Sequence, residues 1–201
     1  MNFLLKSISY IFNPILMPLA GSIIYFITAP RFIPENIIQA KILGLLIITV
    51  LIPIVLYFFL KNTGIITSIH LEEAKQRKIP LLLQSLLLFM ALKMIIDQYN
   101  YPELYFFFLG ALLSSLSAIF MIFFGIKVSL HMIGSGAVMM FTIVLSIHFE
   151  INLTLLIAAI IIVNGLVATS RLHYKAHSNL ELFLGFFFGI LPQLTLINFW
   201  L

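Results

Sequence analysis

Seven runs of apolar residues, separated by short polar segments, account for almost the whole chain. They cover roughly residues 9–30, 42–60, 80–97, 103–125, 130–148, 152–169 and 180–200. Each run is close to the ~20 residues that an α-helix needs to cross a bilayer. A helix pairs its own backbone N–H and C=O groups, and this is necessary because the hydrocarbon of the bilayer offers them no hydrogen-bond partners. The pattern predicts a single all-α domain, residues 1–201, built as a membrane bundle of six to seven transmembrane helices.

Composition supports a membrane location and excludes every function that requires cysteine. Charged residues make up 9% of the chain and hydrophobic residues 62%, whereas soluble domains carry about 25% charged residues. The longest polar segment, roughly 61–79, is too short to form a soluble domain. The chain has no cysteine, which excludes disulfides, thiolate nucleophiles and thiolate metal sites. Asn13, Pro14 and Pro18 predict that the first helix is kinked or lies partly in the membrane interface.

Basic residues concentrate on one side of the predicted membrane. Alternating helices place the N-terminus and the second, fourth and sixth connections at the same end. That end holds eight of the eleven Lys and Arg residues, namely Lys6, Lys61, Lys75, Arg77, Lys78, Lys127, Arg171 and Lys175. The positive-inside rule favours a cytoplasmic location for this end, although residues that bind phosphate would place cations there on either side. We expect an integral protein of a bacterial inner membrane.

The polar segment 170–181 separates the last two apolar runs and carries Arg171, His177 and Glu181. Ionisable groups at a membrane boundary indicate function by default. Three interpretations are open. The segment is a cap whose cations reach the headgroups, a metal site of two histidines and a carboxylate, or a phosphoryl-transfer site with a histidine nucleophile.

These interpretations differ in what they require of neighbouring residues. A metal site would use His173, His177 and Glu181, which share one helical face if the last helix begins early. Arg171 and Lys175 would repel a divalent cation bound there. In phosphoryl transfer Arg171 would neutralise the phosphate oxygens, and this is the interpretation we prefer.

A second motif, Val128-Ser129-Leu130-His131, stands at the start of the fifth apolar run. It lies about 40 residues before segment 170–181 and on the same side of the membrane. A hydroxyl and an imidazole at a helix N-terminus suit an anion, because free backbone N–H groups and the helix dipole favour negative charge there.

Together these segments resemble the signatures of the type 2 phosphatidic-acid phosphatase superfamily. Segment 170–181 matches the third signature, Ser-Arg-(five residues)-His-(three residues)-acid. The second signature, Pro-Ser-Gly-His, keeps Ser129 and His131 but has Val128 and Leu130 in place of proline and glycine. The first, Lys-(six residues)-Arg-Pro, has no direct match, and a basic cluster that ends at Pro80 stands in its place.

The resemblance implies a helical bundle related to the vanadium haloperoxidases, working without a metal or other cofactor. His177 would be the nucleophile, Glu181 would orient it, and His131 would act as general acid and then as general base. The implied phosphate ligands are Arg171, Ser129, Arg77, Lys75 and Lys78. The partners would be membrane lipids and an amphiphilic phosphate substrate taken from the bilayer, with no nucleic acid.

Two alternatives use the same residues. A non-catalytic member of the family would bind anionic lipid without turnover, and Leu130 favours this alternative. A lipid phosphotransferase would pass the phosphoryl group to an acceptor other than water. All versions predict that Arg77, His131, Arg171 and His177 converge at one end of the bundle, because two helices separate each motif from the next.

Overall fold

The chain folds as a bundle of α-helices. The computed structural model describes residues 2–66 and 74–201, with side chains from 5–66 and 76–201. The helices are α1 (Asn2–Ile11), α2 (Met17–Thr28), α3 (Glu35–Leu46), α4 (Ile52–Asn62), α5 (Lys78–Met94), α6 (Pro102–Phe123), α7 (Leu130–His148), α8 (Thr154–His173) and α9 (Asn179–Leu196). The described ranges contain no strand, so the prediction of an all-α bundle is confirmed.

Within the described residues, six helices have the length and apolar composition to cross a membrane, as expected for a membrane protein. They are Leu5–Thr28, Glu35–Asn62, Pro102–Phe123, Leu130–His148, Thr154–His173 and Asn179–Phe199. Helix α5 has 17 residues, or about 25 Å at 1.5 Å per residue. Helix α5 nevertheless extends from one end of the bundle to the other. At its start, the Arg77 side chain donates to the Val128 carbonyl oxygen before α7, and after its end the Ile95 carbonyl oxygen accepts from the Lys41 ammonium on α3.

The three sequence motifs lie at one end of the bundle, which we call the motif end, and the opposite end is the distal end. The motif end comprises the start of α5, the connection between α6 and α7, and the turn between α8 and α9, where the three sequence motifs lie. The distal end comprises the segment after α2 and the connections between α5 and α6 and between α7 and α8. Helices α1 and α2 form one span and α3 and α4 form the next. These two spans and helices α5 to α9 run between the two ends in alternating directions.

The first transmembrane helix is interrupted at Asn13 and Pro14, where the sequence predicts a kink. The Asn13 side chain accepts a hydrogen bond from the Ile15 backbone N–H at 3.1 Å, and a 3-10 turn, Pro14–Leu16, follows. Proline cannot donate the backbone hydrogen bond that a continuous helix would require. Helix α1 is therefore a separate ten-residue segment packed on α8 at the motif end.

A buried carboxylate ties helices together at the distal end. Glu103 is 1% exposed. It accepts hydrogen bonds from the Tyr25 hydroxyl at 3.0 Å, from Arg31, and from His148 Nε2 at 3.2 Å. We call these four residues the distal cluster. Because they come from α2, the segment after it, α6 and α7, the cluster fixes three helices at this end.

Helices α7 and α9 touch through two glycines spaced four residues apart. A Cβ atom on Gly185 would lie 2.6 Å from the Ser129 carbonyl oxygen, and one on Gly189 would lie 2.3 Å from the Ile133 carbonyl oxygen. Real Cβ atoms do not approach that closely, so only glycine permits this contact. The approach places the start of α9 directly against the second motif.

We expect Gly185→Ala to destabilise the protein, because the added methyl group must displace the Ser129 backbone. Overpacking of this kind costs about 1–3 kcal/mol, which would appear as a lower thermal unfolding temperature in detergent. Gly165→Ala is a matched control, since nothing lies within 4 Å of its Cβ position on α8. The control should be neutral or slightly stabilising. Equal unfolding temperatures for the two variants would contradict the close contact.

Candidate functional site

Hydrogen bonds to the segment that precedes α7 hold the three motifs together. They join Arg77 Nη1 to the Val128 carbonyl oxygen (3.0 Å), His177 Nδ1 to the Lys127 carbonyl oxygen (3.1 Å) and the Ser129 N–H to the Glu181 carbonyl oxygen (3.0 Å). Residues distant in sequence thus meet at the motif end.

His177 is buried and its ring has a defined orientation. Its side chain is 2% exposed, and Nδ1 lies 3.1 Å from the Lys127 carbonyl oxygen and 3.2 Å from Glu181 Oε2. A carbonyl oxygen can only accept, so Nδ1 carries the proton. In the neutral ring Nε2 then keeps its lone pair, which is the form that a nucleophile requires.

Glu181 is held by the N-terminal cap of α9. Ser178 Oγ accepts from the Glu181 backbone N–H at 3.3 Å, while Glu181 Oε2 accepts from the Ser178 N–H at 2.9 Å. This reciprocal capping box fixes the carboxylate beside the first turn of the helix. The same oxygen contacts His177 Nδ1, so the cap that starts α9 also orients the imidazole.

The surroundings of His177 favour its neutral form. Burial is the largest cause, followed by the positive charges of Arg77, Arg171 and Lys127, and together they lower the pKa of His177 from 6.5 to about 3. The imidazole is therefore unprotonated at neutral pH. Because the unfolded chain binds this proton more readily, the contribution of His177 to stability is complete above pH 6.5. It is lost as the pH falls from 6.5 towards 3.

This shift predicts a pH-dependent stability that His177 carries. Between pH 7.5 and pH 4.5 the thermal unfolding temperature of the wild type should fall further than that of His177→Gln, which has no imidazole to protonate. His173→Gln is the control, since it removes an exposed imidazole four residues away. The assignment would be wrong if all three proteins lost stability in parallel.

Arg77 is a buried cation at the start of α5. It is 7% exposed and donates Nη1–H to the Val128 carbonyl oxygen. Burial lowers its pKa to about 10, with Glu181 opposing this effect and Arg171 adding to it. The guanidinium stays charged at neutral pH, so the site contains a fixed positive charge.

Two of the predicted phosphate ligands have buried polar atoms with no hydrogen-bond partner among the described residues. They are Ser129 Oγ and Arg171 Nε. Ser129 is fully buried and is the N-cap residue of α7, yet its hydroxyl does not cap the helix. An unpaired buried polar atom is costly and calls for an explanation. Both atoms belong to residues predicted to bind phosphate.

His131 lies next to this site but is held from α1. Its Nε2 is 3.1 Å from the Ser9 carbonyl oxygen and therefore donates to it. Ser9 Oγ also lies 2.7 Å from Ser170 Oγ, and Ser170 Oγ donates to the Leu5 carbonyl oxygen at 2.7 Å. Helix α1 is thus attached to the residue before Arg171 and to the imidazole predicted to act as general acid.

The first motif contributes less than the other two. Segment 67–73 lies outside the described residues. Lys75 belongs to the 3-10 turn Ala74–Arg77, but its side chain is not among those described. Lys78 is exposed, and its ammonium lies 5.6 Å from the centre of the Phe123 ring. Of the three basic residues in this motif, Arg77 is the one that the described side chains place against the second motif.

A narrow crevice lies beside Arg77, on the side of the site that faces α5 and α6. The crevice beside Arg77 is lined by Leu81, Ala118, Lys127 and Leu130, among others, and is too narrow for a water molecule. Leu130 packs with an apolar cluster formed by α5, α6 and α7. Leu130, at the position where the signature that this segment resembles has glycine, therefore fills space on the Arg77 side of the site.

The shared face expected for a metal site is not formed. His173 is the last residue of α8, whereas α9 begins at Asn179, so His173 and Glu181 belong to different helices. Among the described residues, no three His, Asp or Glu side chains form a group that could hold a metal ion.

The sequence interpretation missed several residues that build this site. Gly185 and Gly189 have the Gly-x-x-x-Gly spacing typical of close helix contacts in membranes, so a signal was present. No local pattern in the sequence links Ser9 and Ser170 to His131, because their contact joins α1 to α7 and α8.

No protein-family model, curated protein or solved structure matches the chain. The three motifs and their geometry are therefore the basis for assigning a function.

Proposed function

We propose that the protein is an integral membrane phosphatase that hydrolyses a lipid phosphate or polyprenyl diphosphate through a phosphohistidine intermediate. The observation that carries the proposal is the pair of unpartnered buried atoms, Ser129 Oγ and Arg171 Nε, at the same end of the bundle as His177. Both belong to the motifs that resemble the phosphatase signatures. A phosphoryl group bound between them would give each atom a partner.

In the first step, His177 Nε2 would attack phosphorus. A bond forms between Nε2 and phosphorus as the bond to the oxygen of the leaving group breaks. Glu181 would stabilise the positive charge that develops on the ring, since its carboxylate already contacts Nδ1. His131 would donate a proton to the departing oxygen, so that a lipid alcohol or a lipid phosphate leaves.

In the second step, water would attack phosphorus while His131 accepts its proton. The bond between phosphorus and Nε2 breaks, its electron pair returns to the ring, and inorganic phosphate is released. For His131 to take part through Nε2, the hydrogen bond from this nitrogen to the Ser9 carbonyl oxygen must give way. Helix α1 therefore enters the mechanism as the segment that holds His131 between turnovers.

Phosphoryl transfer depends mainly on neutralising the oxygens of the transferred group. Arg77 and Arg171 would supply fixed positive charge, and Ser129 a hydroxyl donor. Burial strengthens these interactions, because water competes less for the oxygens. Lys75 and Lys78 would contribute to attracting the anion from the membrane surface.

The proposed substrate is an amphiphile because the site lies at one end of a membrane bundle. Its phosphate would reach the motif end while its hydrocarbon chains remain among the apolar helix faces. We place the protein in a bacterial inner membrane. The positive-inside rule favours the cytoplasmic side for the motif end.

The closed crevice beside Arg77 favours a second candidate, a non-catalytic protein that binds anionic lipid. Leu130 and its apolar neighbours leave no room there for a water molecule. This candidate keeps the anion site and loses the hydrolytic step.

The test is release of inorganic phosphate by the purified protein from a panel of lipid phosphates and polyprenyl diphosphates in detergent. We expect turnover that persists in EDTA and is inhibited by vanadate, which resembles five-coordinate phosphorus. Acid-labile labelling of His177 should appear during turnover. Lipid binding without phosphate release would support the non-catalytic candidate, and a phosphorylated acceptor other than water would indicate a transferase.

A further inference from the structure

We propose that Lys127 is a third phosphate-binding cation and that it gives the site a preference for a dianionic terminal phosphate over a monoanionic phosphodiester. The inference rests on the anion site of the proposed function, but it concerns binding and does not require hydrolysis. Lys127 lies outside all three motifs. Its position in the folded chain, next to His177, is what singles it out.

The backbone of Lys127 is fixed against the site. Its carbonyl oxygen accepts from His177 Nδ1 at 3.1 Å. The next residue, Val128, accepts from Arg77, and the one after it is Ser129, with its unpartnered hydroxyl. Three consecutive residues thus touch or belong to the anion site, and Lys127 is the first of them.

The side chain of Lys127 is partly buried and lines the same crevice as Arg77. Its charge is felt at the neighbouring imidazole, where it helps to lower the pKa of His177. None of the ion pairs among the described residues involves Lys127. The ammonium therefore adds positive charge to the site without a carboxylate of its own.

The balance of charge indicates the kind of anion. Among the described side chains close to His177, three are cations and one is a carboxylate: Arg77, Arg171, Lys127 and Glu181. They leave a formal excess of two positive charges around a neutral imidazole. A terminal phosphate carries close to two negative charges above its second pKa of about 6. A phosphodiester carries one, and would leave a partly buried cation uncompensated.

Direct binding of small phosphates tests this inference apart from catalysis. A ligand that binds the folded state stabilises it by RT ln(1 + [L]/Kd) and so raises the thermal unfolding temperature. Titrations with methyl phosphate and dimethyl phosphate at pH 8 therefore give both affinities. We compare the wild type with Lys127→Gln and Lys127→Arg. The control is Lys175→Gln, which removes an exposed cation from the turn between α8 and α9.

We expect methyl phosphate to bind the wild type and Lys175→Gln equally, and Lys127→Gln about tenfold more weakly, as for the loss of one charge-assisted contact. Lys127→Arg should retain most of the affinity. Dimethyl phosphate should bind weakly to every variant. The variants should bind phosphatidic acid in mixed micelles with the same order of affinity as methyl phosphate. If the natural ligand is a lipid, phosphatidic acid should bind at lower concentrations than methyl phosphate. If the natural ligand is a soluble phosphate, it should not.

Three results would overturn the inference: unchanged affinity in Lys127→Gln, equal wild-type affinity for the two phosphates, or no binding of methyl phosphate to the wild type. The phosphatase proposal has a separate outcome. Lys127-dependent binding by a protein that never releases phosphate would support the dianion preference and reject hydrolysis. Phosphate release that does not depend on Lys127 would support hydrolysis and reject the role of Lys127.

Discussion

Replacing His177 with alanine should abolish release of inorganic phosphate from the substrate that the wild type hydrolyses best. The imidazole would form the bond to phosphorus, and its ring is oriented by the Lys127 carbonyl oxygen and by Glu181. Removal of a nucleophile that forms a covalent intermediate costs on the order of 10³-fold or more in kcat. The measurement is initial-rate phosphate release, with acid-labile labelling to show whether a phosphoenzyme still forms.

His173→Ala is the matched control for this experiment. It removes an exposed imidazole at the end of α8 while leaving His177 and its contacts in place, and its activity should stay within a few-fold of the wild type. The nucleophile assignment fails if His177→Ala, inserted in the membrane and unfolding cooperatively, keeps near-wild-type activity. It also fails if labelling persists at another residue.

Arg171→Ala should lower kcat by about 10²- to 10³-fold, the range seen when one preorganised donor to a transition state is removed. The reason is that the Arg171 guanidinium has a buried Nε without a partner among the described residues, which is placed to serve an anion. Arg171→Lys should recover part of the activity, because it restores the charge but not the flat, forked donor. Steady-state kinetics separate the effect on kcat from that on KM.

Lys61→Gln controls for the general loss of positive charge. Lys61 is exposed at the end of α4, on the same side of the membrane. If Lys61→Gln reduced activity as much as Arg171→Ala, the role of Arg171 would be electrostatic attraction at the surface. A direct contact with the phosphoryl group would then be excluded as its main contribution.

The helices were predictable because the membrane imposes a simple requirement on sequence. Runs of about 20 apolar residues must be helical in hydrocarbon, and the described helices follow the predicted runs closely. The helix ends differ from the ends of the apolar runs where polar residues continue a helix beyond its apolar part. Helix α3 begins at Glu35, seven residues before the run that starts at 42, and α8 continues to His173, past the run that ends at 169.

The convergence of Arg77, Ser129 and His177 on one end followed from counting helices between motifs. Their close contacts did not follow, because these use backbone carbonyl groups that carry no sequence signal. The carbonyl oxygen of Lys127 holds His177, and that of Ser9 holds His131. Nor does sequence show that Arg31 and Glu103, 72 residues apart, would meet. Such contacts depend on how helices rotate and pack, which apolar runs leave undetermined.

The distal cluster and the break in the first helix have a joint consequence for handling the protein. Trp200 packs against His148 at 5.3 Å between ring centres, so the residues near position 201 adjoin the carboxylate that fastens three helices. Helix α1, by contrast, is joined to the bundle beyond a non-helical step at Asn13 and carries the carbonyl that holds His131. A tag attached to α1 is therefore next to the segment that positions His131, whereas a tag attached after residue 201 is next to the distal cluster. We expect the second tag to disturb the candidate site less.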